Sequence, residues 1–366
     1  MLAVGGRRVA YIIDPSLAAN GGYAAIVIIT IYWAAVYISS QGTKTVAGLS
    51  SAGLVIGTLI PGALLVALGF VFLAQGNQPA APMDAGHLLP AWTGLASRVL
   101  IINNFLSYAG MEMNAVHVSS LKNPDKEYPR AMALAVLLAL AIFIVPAVVI
   151  SWVVPSKNLS LTAGVMQAFD GFFNHFHIGF LTPILGVMLV AAALGGMLTW
   201  LAGPSKGLLL IGRREGFLPP VLTRVNKHGV QQNMLVVQGV VTTLLALLYA
   251  FIPDVSSAYW ILSVITTQVY LIMYVAAVRL RRDQPDHPRG YRAPMLVALC
   301  GVGIASSLAA FLIGFVPPSE YGSGSPLGYV LLVGLGAGIV GLVVPYLFLR
   351  LRKPAWKIDD PQEALA

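Results

Sequence analysis

Charge is what this sequence has least of. Only 10% of its 366 residues are Asp, Glu, Lys or Arg, and 57% are apolar; a soluble domain carries about a quarter charged. The mean hydropathy of +0.80 belongs to a chain solvated mostly by lipid. That balance argues against a soluble enzyme, a nucleic-acid partner and a disordered scaffold, despite a pI near 9.6. The single cysteine, Cys300, excludes an intramolecular disulfide and any Cys-based metal cluster. No Walker loop, dinucleotide fingerprint or nucleophile constellation occurs, so the sequence calls for no cofactor and no catalytic residue. Its six histidines are scattered. His87, His175, His228 and His287 read as loop residues. His175 and His177, with Asp170, read either as a metal site or as a solvated loop.

What is present is a series of long apolar runs. A bilayer core about 30 Å thick needs roughly 20 apolar residues per spanning helix. Nine candidates follow, at about 23–40, 49–74, 97–118, 130–154, 178–202, 233–252, 257–278, 294–316 and 327–349. None shows the alternation of a transmembrane strand, so the expected class is an all-α integral membrane protein. Basic residues cluster in every second loop: Lys44; Lys122, Lys126 and Arg130; Lys206, Arg213, Arg214, Arg224 and Lys227; then Arg279, Arg281, Arg282, Arg289 and Arg292. Arg350, Arg352, Lys353 and Lys357 follow in the tail. By the positive-inside rule these loops and the C-terminus are cytoplasmic, in a multi-pass protein of the cell membrane. The cluster Arg279-Arg281-Arg282 reads as an anchor at anionic headgroups.

One acidic residue, Glu112, lies well inside a span. A carboxylate at mid-membrane costs about 2.5–3.5 kcal/mol, so it needs a partner within the protein. Its surroundings, from Asn103 to His117, form the most polar stretch of any span. Gly110 lies in the middle, where backbone could unwind. An unwound segment offers free N–H groups to an anion and free carbonyls to a cation, which suits a zwitterion. The alternative is a buried Glu that fixes helix packing. Gly195 and Gly196 in the fifth span read as packing or as room for a ligand, and Trp200 as the wall of a pocket or part of an interfacial belt. In the seventh span Gln268 and Tyr270 cannot face the same side of a straight helix.

Gly110-Met111-Glu112 followed by Lys122-Asn123-Pro124-Asp125-Lys126-Glu127-Tyr128-Pro129-Arg130 resembles the sixth helix and following loop of amino acid–polyamine–organocation (APC) transporters. Gly203-Pro204-Ser205-Lys206-Gly207 through Arg213-Arg214-Glu215-Gly216-Phe217-Leu218-Pro219-Pro220 resembles the loop after their eighth helix. Gln41-Gly42-Thr43-Lys44, Leu106-Ser107-Tyr108, Ala163-Gly164-Val165-Met166-Gln167, Arg289-Gly290-Tyr291-Arg292-Ala293-Pro294 and Phe315-Val316-Pro317-Pro318 are similar to the glutamate/GABA antiporter branch.

The resemblance implies a five-plus-five inverted-repeat fold of twelve helices, of which the spans here are helices four to twelve. Residues 1–22 would be the end of helix three, with Met1–Ile13 its stump, and an outer loop. Residues 23–350 would form a single transmembrane domain and 351–366 a short cytoplasmic tail. It also implies alternating access, a small amino acid as substrate, and a binding site at Ser107, Tyr108, Gly110, Met111, Glu112, Asn114, Gly196, Trp200 and Tyr270. The branch carries an acidic residue four positions before its Trp; Gly196 stands there. The first, broken helix of the fold is not among the nine spans, so the chain is expected to be N-terminally truncated. A transport-inactive fragment or partner-binding subunit is the alternative reading. The DNA upstream of the Met1 codon should then encode about three further apolar segments of spanning length. An in-frame stop directly upstream, with none in any frame, would refute this. Single cysteines at Ser205 or Thr223, in a Cys300→Ala background, should be protected from impermeant reagents outside the cell.

Overall fold

A computed structural model of the chain describes residues 21–81, 107–155, 164–251, 255–317 and 325–358. All regular structure among the described residues is helical, as lipid requires of an open chain. Six helices are long and apolar enough to cross a membrane: Thr43–Ala74, Pro124–Val153, Gly179–Glu215, Ile261–Asp283, Leu296–Ile313 and Pro326–Leu351. Ala25–Ser39 and Gln232–Leu247 are shorter apolar helices. These eight correspond to eight of the nine sequence spans. The ninth, 97–118, is described only from Ser107 onward, and Met1–Ile13 lies outside the described residues.

The chain divides into two compact units. Residues 1–90, 136–253 and 356–366 form one; 91–135 and 254–355 form the other. The first unit holds α1 (Gly21–Ser39), α2 (Thr43–Leu54), a π turn (Val55–Leu59) and α3 (Ile60–Ala74). Residues 136–153 of α4 (Pro124–Val153), α5 (Gly164–His175), α6 (Thr182–Glu215), α7 (Pro220–Thr223) and α8 (Gln232–Phe251) complete it. Its hub is α6, which packs against α1, α2 and the π turn. Pro61 lies just after that turn and has no N–H to return to Gly57, which explains why the helix widens there.

Apolar side chains gain little by meeting one another in lipid, so helix contacts rest on close approach. A Cβ on Gly57 would sit 2.4 Å from the Met188 carbonyl oxygen and 2.4 Å from the Ala192 nitrogen of α6. One on Gly53 would sit 2.7 Å from the Ala191 carbonyl oxygen. Gly195 answers from the opposite side: a Cβ on it would sit 3.2 Å from the Gly53 Cα, and its carbonyl accepts from Ser50 Oγ at 3.0 Å. Of the two sequence readings of Gly195, packing is what the geometry supports. Between α1 and α8, the Trp33 indole N–H donates to Thr243 Oγ1 at 3.0 Å.

Two local expectations change. The run from Gly203 to Gly207 is not a loop: α6 continues to Glu215 and stops at Gly216, whose φ of 71° makes it a left-handed cap. Pro204 removes one backbone hydrogen bond without ending the helix, because Ser205 is buried there, back-bonds to the Leu201 carbonyl and reaches Gln238 Oε1 of α8 at 3.0 Å. His175 does not lie in a loop either. It ends α5, an amphipathic helix whose Phe169, Phe172 and Phe173 are buried with Leu65, Val149 and Trp152. Its ring packs edge-on against Phe72 and Phe176. His175 Nε2 lies 3.1 Å from Gln75 Oε1 and 3.4 Å from Asn77 Nδ2. Among the described residues no group of three His, Cys, Asp or Glu converges as a metal site.

The cytoplasm-assigned end of this unit is tied by Arg213. Its buried guanidinium donates twice to the Thr223 carbonyl, at 3.1 and 2.7 Å, and its own carbonyl accepts from the Ile358 N–H at 3.0 Å. Carbonyls at a helix end have no helical donor, and both contacts supply one. Ser205 and Thr223 are 0% and 3% exposed, so protection of cysteines there reports burial rather than sidedness.

The second unit holds residues 124–135 of α4, α9 (Val255–Asp283), α10 (Leu296–Ile313), α11 (Pro326–Gly338), a second π turn (Ile339–Val343) and α12 (Val344–Leu351). Here α9 is the column, packed on α10, α11 and the π turn. Val264, Ala310, Tyr329, Val333 and Ala337 are buried between them. At the end of α9, Arg289 donates to the carbonyls of Leu280 (3.1 Å) and Gln284 (2.6 Å), and also to those of Pro285 (3.3 Å) and His287 (3.1 Å). The Arg-Gly-Tyr-Arg stretch is thereby a folded cap on α9. Within the Arg279 cluster, Arg281 bonds the Ala293 carbonyl at 3.3 Å, and Arg279 pairs with Asp283 at 3.3 Å on the surface.

Two outcomes are expected. Sidedness should be read at exposed Lys227 and His228 instead: single cysteines there, in Cys300→Ala protein, stay unlabelled by an impermeant reagent in intact cells. Ready labelling of both would invert the topology. Gly57→Leu forces α2 from α6 and should destabilise by about 1–3 kcal/mol or more, seen as a lower Tm in detergent; Gly48→Leu, with open space at its Cβ, should not.

Candidate functional site

The site is built around a break in a helix. Ser107 and Tyr108 are helical, Ala109 and Gly110 turn, and a 3-10 helix runs from Met111 to Ser120. Gly110 has φ 104° and ψ −5°, a left-handed conformation that a Cβ would strain. The sequence offers the remedy two residues later. Glu112 folds back so that its Oε2 accepts from the Gly110 N–H at 3.1 Å. Tyr270, from α9, donates its hydroxyl to the same Oε2 at 2.9 Å. The Tyr270 oxygen in turn lies 3.2 Å from the Gly110 nitrogen and shares its proton. One N–H, one carboxylate oxygen and one phenol thus form a closed triangle.

This triangle supplies the partners that the sequence reading of Glu112 as a carboxylate in an apolar run called for. Two donors meet one oxygen, and hydrogen bonds to a charged group are worth about 1.5–3 kcal/mol each. Tyr274 stacks on Tyr270 with ring centroids 6.1 Å apart, one turn further along α9. Reading α9 as a straight helix had Tyr270 and Gln268 diverging. Their partners differ accordingly: Tyr270 reaches Glu112, and Gln268 meets the π turn at Gly341.

Beside the break lies a cavity of about 260 Å³. One wall is the 3-10 helix, through Met111, Asn114, His117 and Val118; the other is the start of α4, through Tyr128 and Met132. Its lining is mostly apolar, with Asn114, His117 and Tyr128 as the polar groups.

Of the nine sequence-assigned positions, the second unit therefore brings together Gly110, Glu112 and Tyr270 in direct contact. Met111 and Asn114 stand on the adjoining cavity. Ser107 and Tyr108 flank the break in the chain, Ser107 exposed and Tyr108 half-buried. Gly196 and Trp200 belong to α6 of the first unit, where Gly196 is half-buried and Trp200 is 41% exposed. Asn103 and Asn104 lie outside the described residues. Sequence reasoning did not single out Tyr128 or His117 as cavity residues. The signal was available: positions 111, 114 and 118 fall on one face of a helix, opposite the first turns of α4.

Comparison with known proteins agrees in kind. The family model described as amino acid permease matches residues 1–338. An uncharacterized transporter of Legionella pneumophila, lpg1691, is 33% identical over 361 residues, covering 96% of this chain and 76% of its own length. A glutamate/gamma-aminobutyrate antiporter of Lactococcus lactis strain IL1403 is 28% identical over 335 residues, 88% of this chain and 66% of the antiporter. The aspartate/glutamate permease AcaP of Lactococcus lactis strain MG1363 is 22% identical over 358 residues, 92% of this chain and 72% of the permease. The chain thus spans about two thirds to three quarters of the length of these relatives. With a match of that extent on an all-helical frame carrying several membrane-length apolar helices, the chain belongs to the amino acid permease family of the APC superfamily, a family of membrane transporters.

Proposed function

We propose that this chain serves an antiporter that exchanges small amino acids of the glutamate/GABA type across the cytoplasmic membrane by alternating access. The observation that carries the reading is the helix broken at Gly110 and braced by Glu112 and Tyr270. A break leaves backbone groups pointing at a ligand-sized space, and a zwitterion is the ligand that uses both kinds. Met111 and Asn114 line the cavity beside it, and Ser107 and Tyr108, which flank the break, are assigned to the site on the strength of the resemblance. Trp200 and Gly196 are assigned to the same site on the strength of the resemblance, with Gly196 leaving volume where the antiporter branch places an acid. The names of two Lactococcus relatives, glutamate/gamma-aminobutyrate antiporters, favour exchange of that pair.

Counterflow in membrane vesicles tests this directly, with the gene expressed from its own locus and a deletion strain as control. Saturable exchange of glutamate, GABA or another amino acid that vanishes in the deletion strain is expected. Identical flux in both strains for every amino acid would overturn the reading in favour of a partner-binding role.

Two substitutions locate the site. Glu112→Gln keeps acceptors for Tyr270 and Gly110 but removes the charge. It should lower exchange by about tenfold or more, equivalent to 1.4 kcal/mol, and alter its pH profile, at unchanged protein level. Unaltered rates at every pH would leave Glu112 a packing residue. Gly196→Leu should abolish exchange in folded protein by occupying substrate space, and normal uptake would remove this position from the site.

A further inference from the structure

The column α9 is held on a second face by a contact with no evident structural benefit. Gln268 presents its amide to the second π turn. A Cβ placed on Gly341, the middle of that turn, would lie 2.2 Å from Gln268 Oε1 and 3.3 Å from its Cδ. The amide therefore occupies the notch that the absent side chain leaves. Gln268 Oε1 is buried and has no hydrogen-bond partner. A buried acceptor without a donor costs free energy, and an apolar side chain of the same shape would avoid that. Gly341 shows no left-handed φ, so its own backbone does not require glycine.

Tyr270 is two residues further on and projects from the other side of α9, about 200° away. Its hydroxyl stands roughly 9 Å from the helix axis, so a rotation of only about 10° moves it about 1.5 Å. That is enough to break contacts of 2.9 and 3.2 Å. The close packing of Val264 with Tyr329, Val333 and Ala337, and the seating of Ile261 against Gly336 and Tyr274 against Gly303, share in holding that rotation. An amide seated in a glycine notch resists it well.

We infer that Gln268 is a positioning residue: keyed into the π turn at Gly341, it sets the rotation of α9 and so holds the Tyr270 hydroxyl on Glu112 and Gly110. The consequence for transport rests on the function proposed above; the positioning itself does not.

A double-mutant cycle separates the two. Gly341→Ala pushes the amide out of its notch and should lower the Tm of the purified protein. In a Tyr270→Phe background there is no hydroxyl left to misplace, so the same substitution should cost clearly less. Should Gly341→Ala protein fail to accumulate, Gln268→Ala, which empties the notch instead of crowding it, enters the same cycle. Gln268→Met, close in shape, should stay near wild type. In exchange assays Gly341→Ala should raise KM by roughly tenfold with little change in maximal rate, and do nothing further to Tyr270→Phe protein. Tm losses that simply add would overturn the positioning role. Non-additive Tm losses together with exchange indifferent to Tyr270→Phe would uphold it and count against the transport reading.

Discussion

A helix broken inside a bilayer leaves backbone groups that no water can reach, and each unsatisfied one costs several kcal/mol. The second unit is organised around covering one such group, the N–H of Gly110. Glu112 supplies the acceptor from two residues away and Tyr270 supplies the bridge from α9. Neither residue is comfortable there alone. The carboxylate needs donors, the phenol needs an acceptor, and the left-handed glycine needs something to hold it in place. Each satisfies another, which is how a polar cluster persists in an apolar segment. The break, the charge and the tyrosine are one feature, and removing any member strands the other two.

The same shortage of water explains the rest of the frame. With lipid as solvent, helices adhere by contact and by stray hydrogen bonds. Hence Ser50 bonds the Gly195 carbonyl, Trp33 bonds Thr243, and arginines seek carbonyls at helix ends: Arg213 that of Thr223, Arg289 those of Leu280 and Gln284. Much of the basic charge assigned to the cytoplasmic loops by position also builds those loops.

How much of this is readable from residues alone depends on range. Apolar runs are local, and eight of the nine spans have a helical counterpart. The break is also local: Gly110 within a polar stretch announces it. The pairing of Glu112 with Tyr270 is not local, since 158 positions separate them, and a single sequence does not say which tyrosine meets which acid. The helix at Gly164–His175 goes unseen because it is 12 residues long and amphipathic, too short for a window of spanning length. Pro204 misleads for the opposite reason. A proline reads as punctuation, but Ser205 and the neighbouring α8 hold the helix together across it. The π turns at Val55–Leu59 and Ile339–Val343 leave no mark in hydropathy. Their trace is the shared Gly-x-x-x-Pro spacing of Gly57 with Pro61 and Gly341 with Pro345.

A π turn is, in effect, a one-residue insertion carried inside a helix. The added residue rotates everything beyond it by about 100°. In the helix from Thr43 to Ala74 this redirects the small-residue face. Before and within the turn Gly53 and Gly57 address α6; after it Leu65 and Gly69 address Val149 and Trp152 of α4. One continuous helix thereby serves two partners that a regular one could not serve together. Length, more than composition, is then what such a place depends on. Exchanging one aliphatic residue of the turn for another leaves the frame intact. Deleting a single codon would restore ideal geometry and turn half of a membrane helix toward the wrong neighbour.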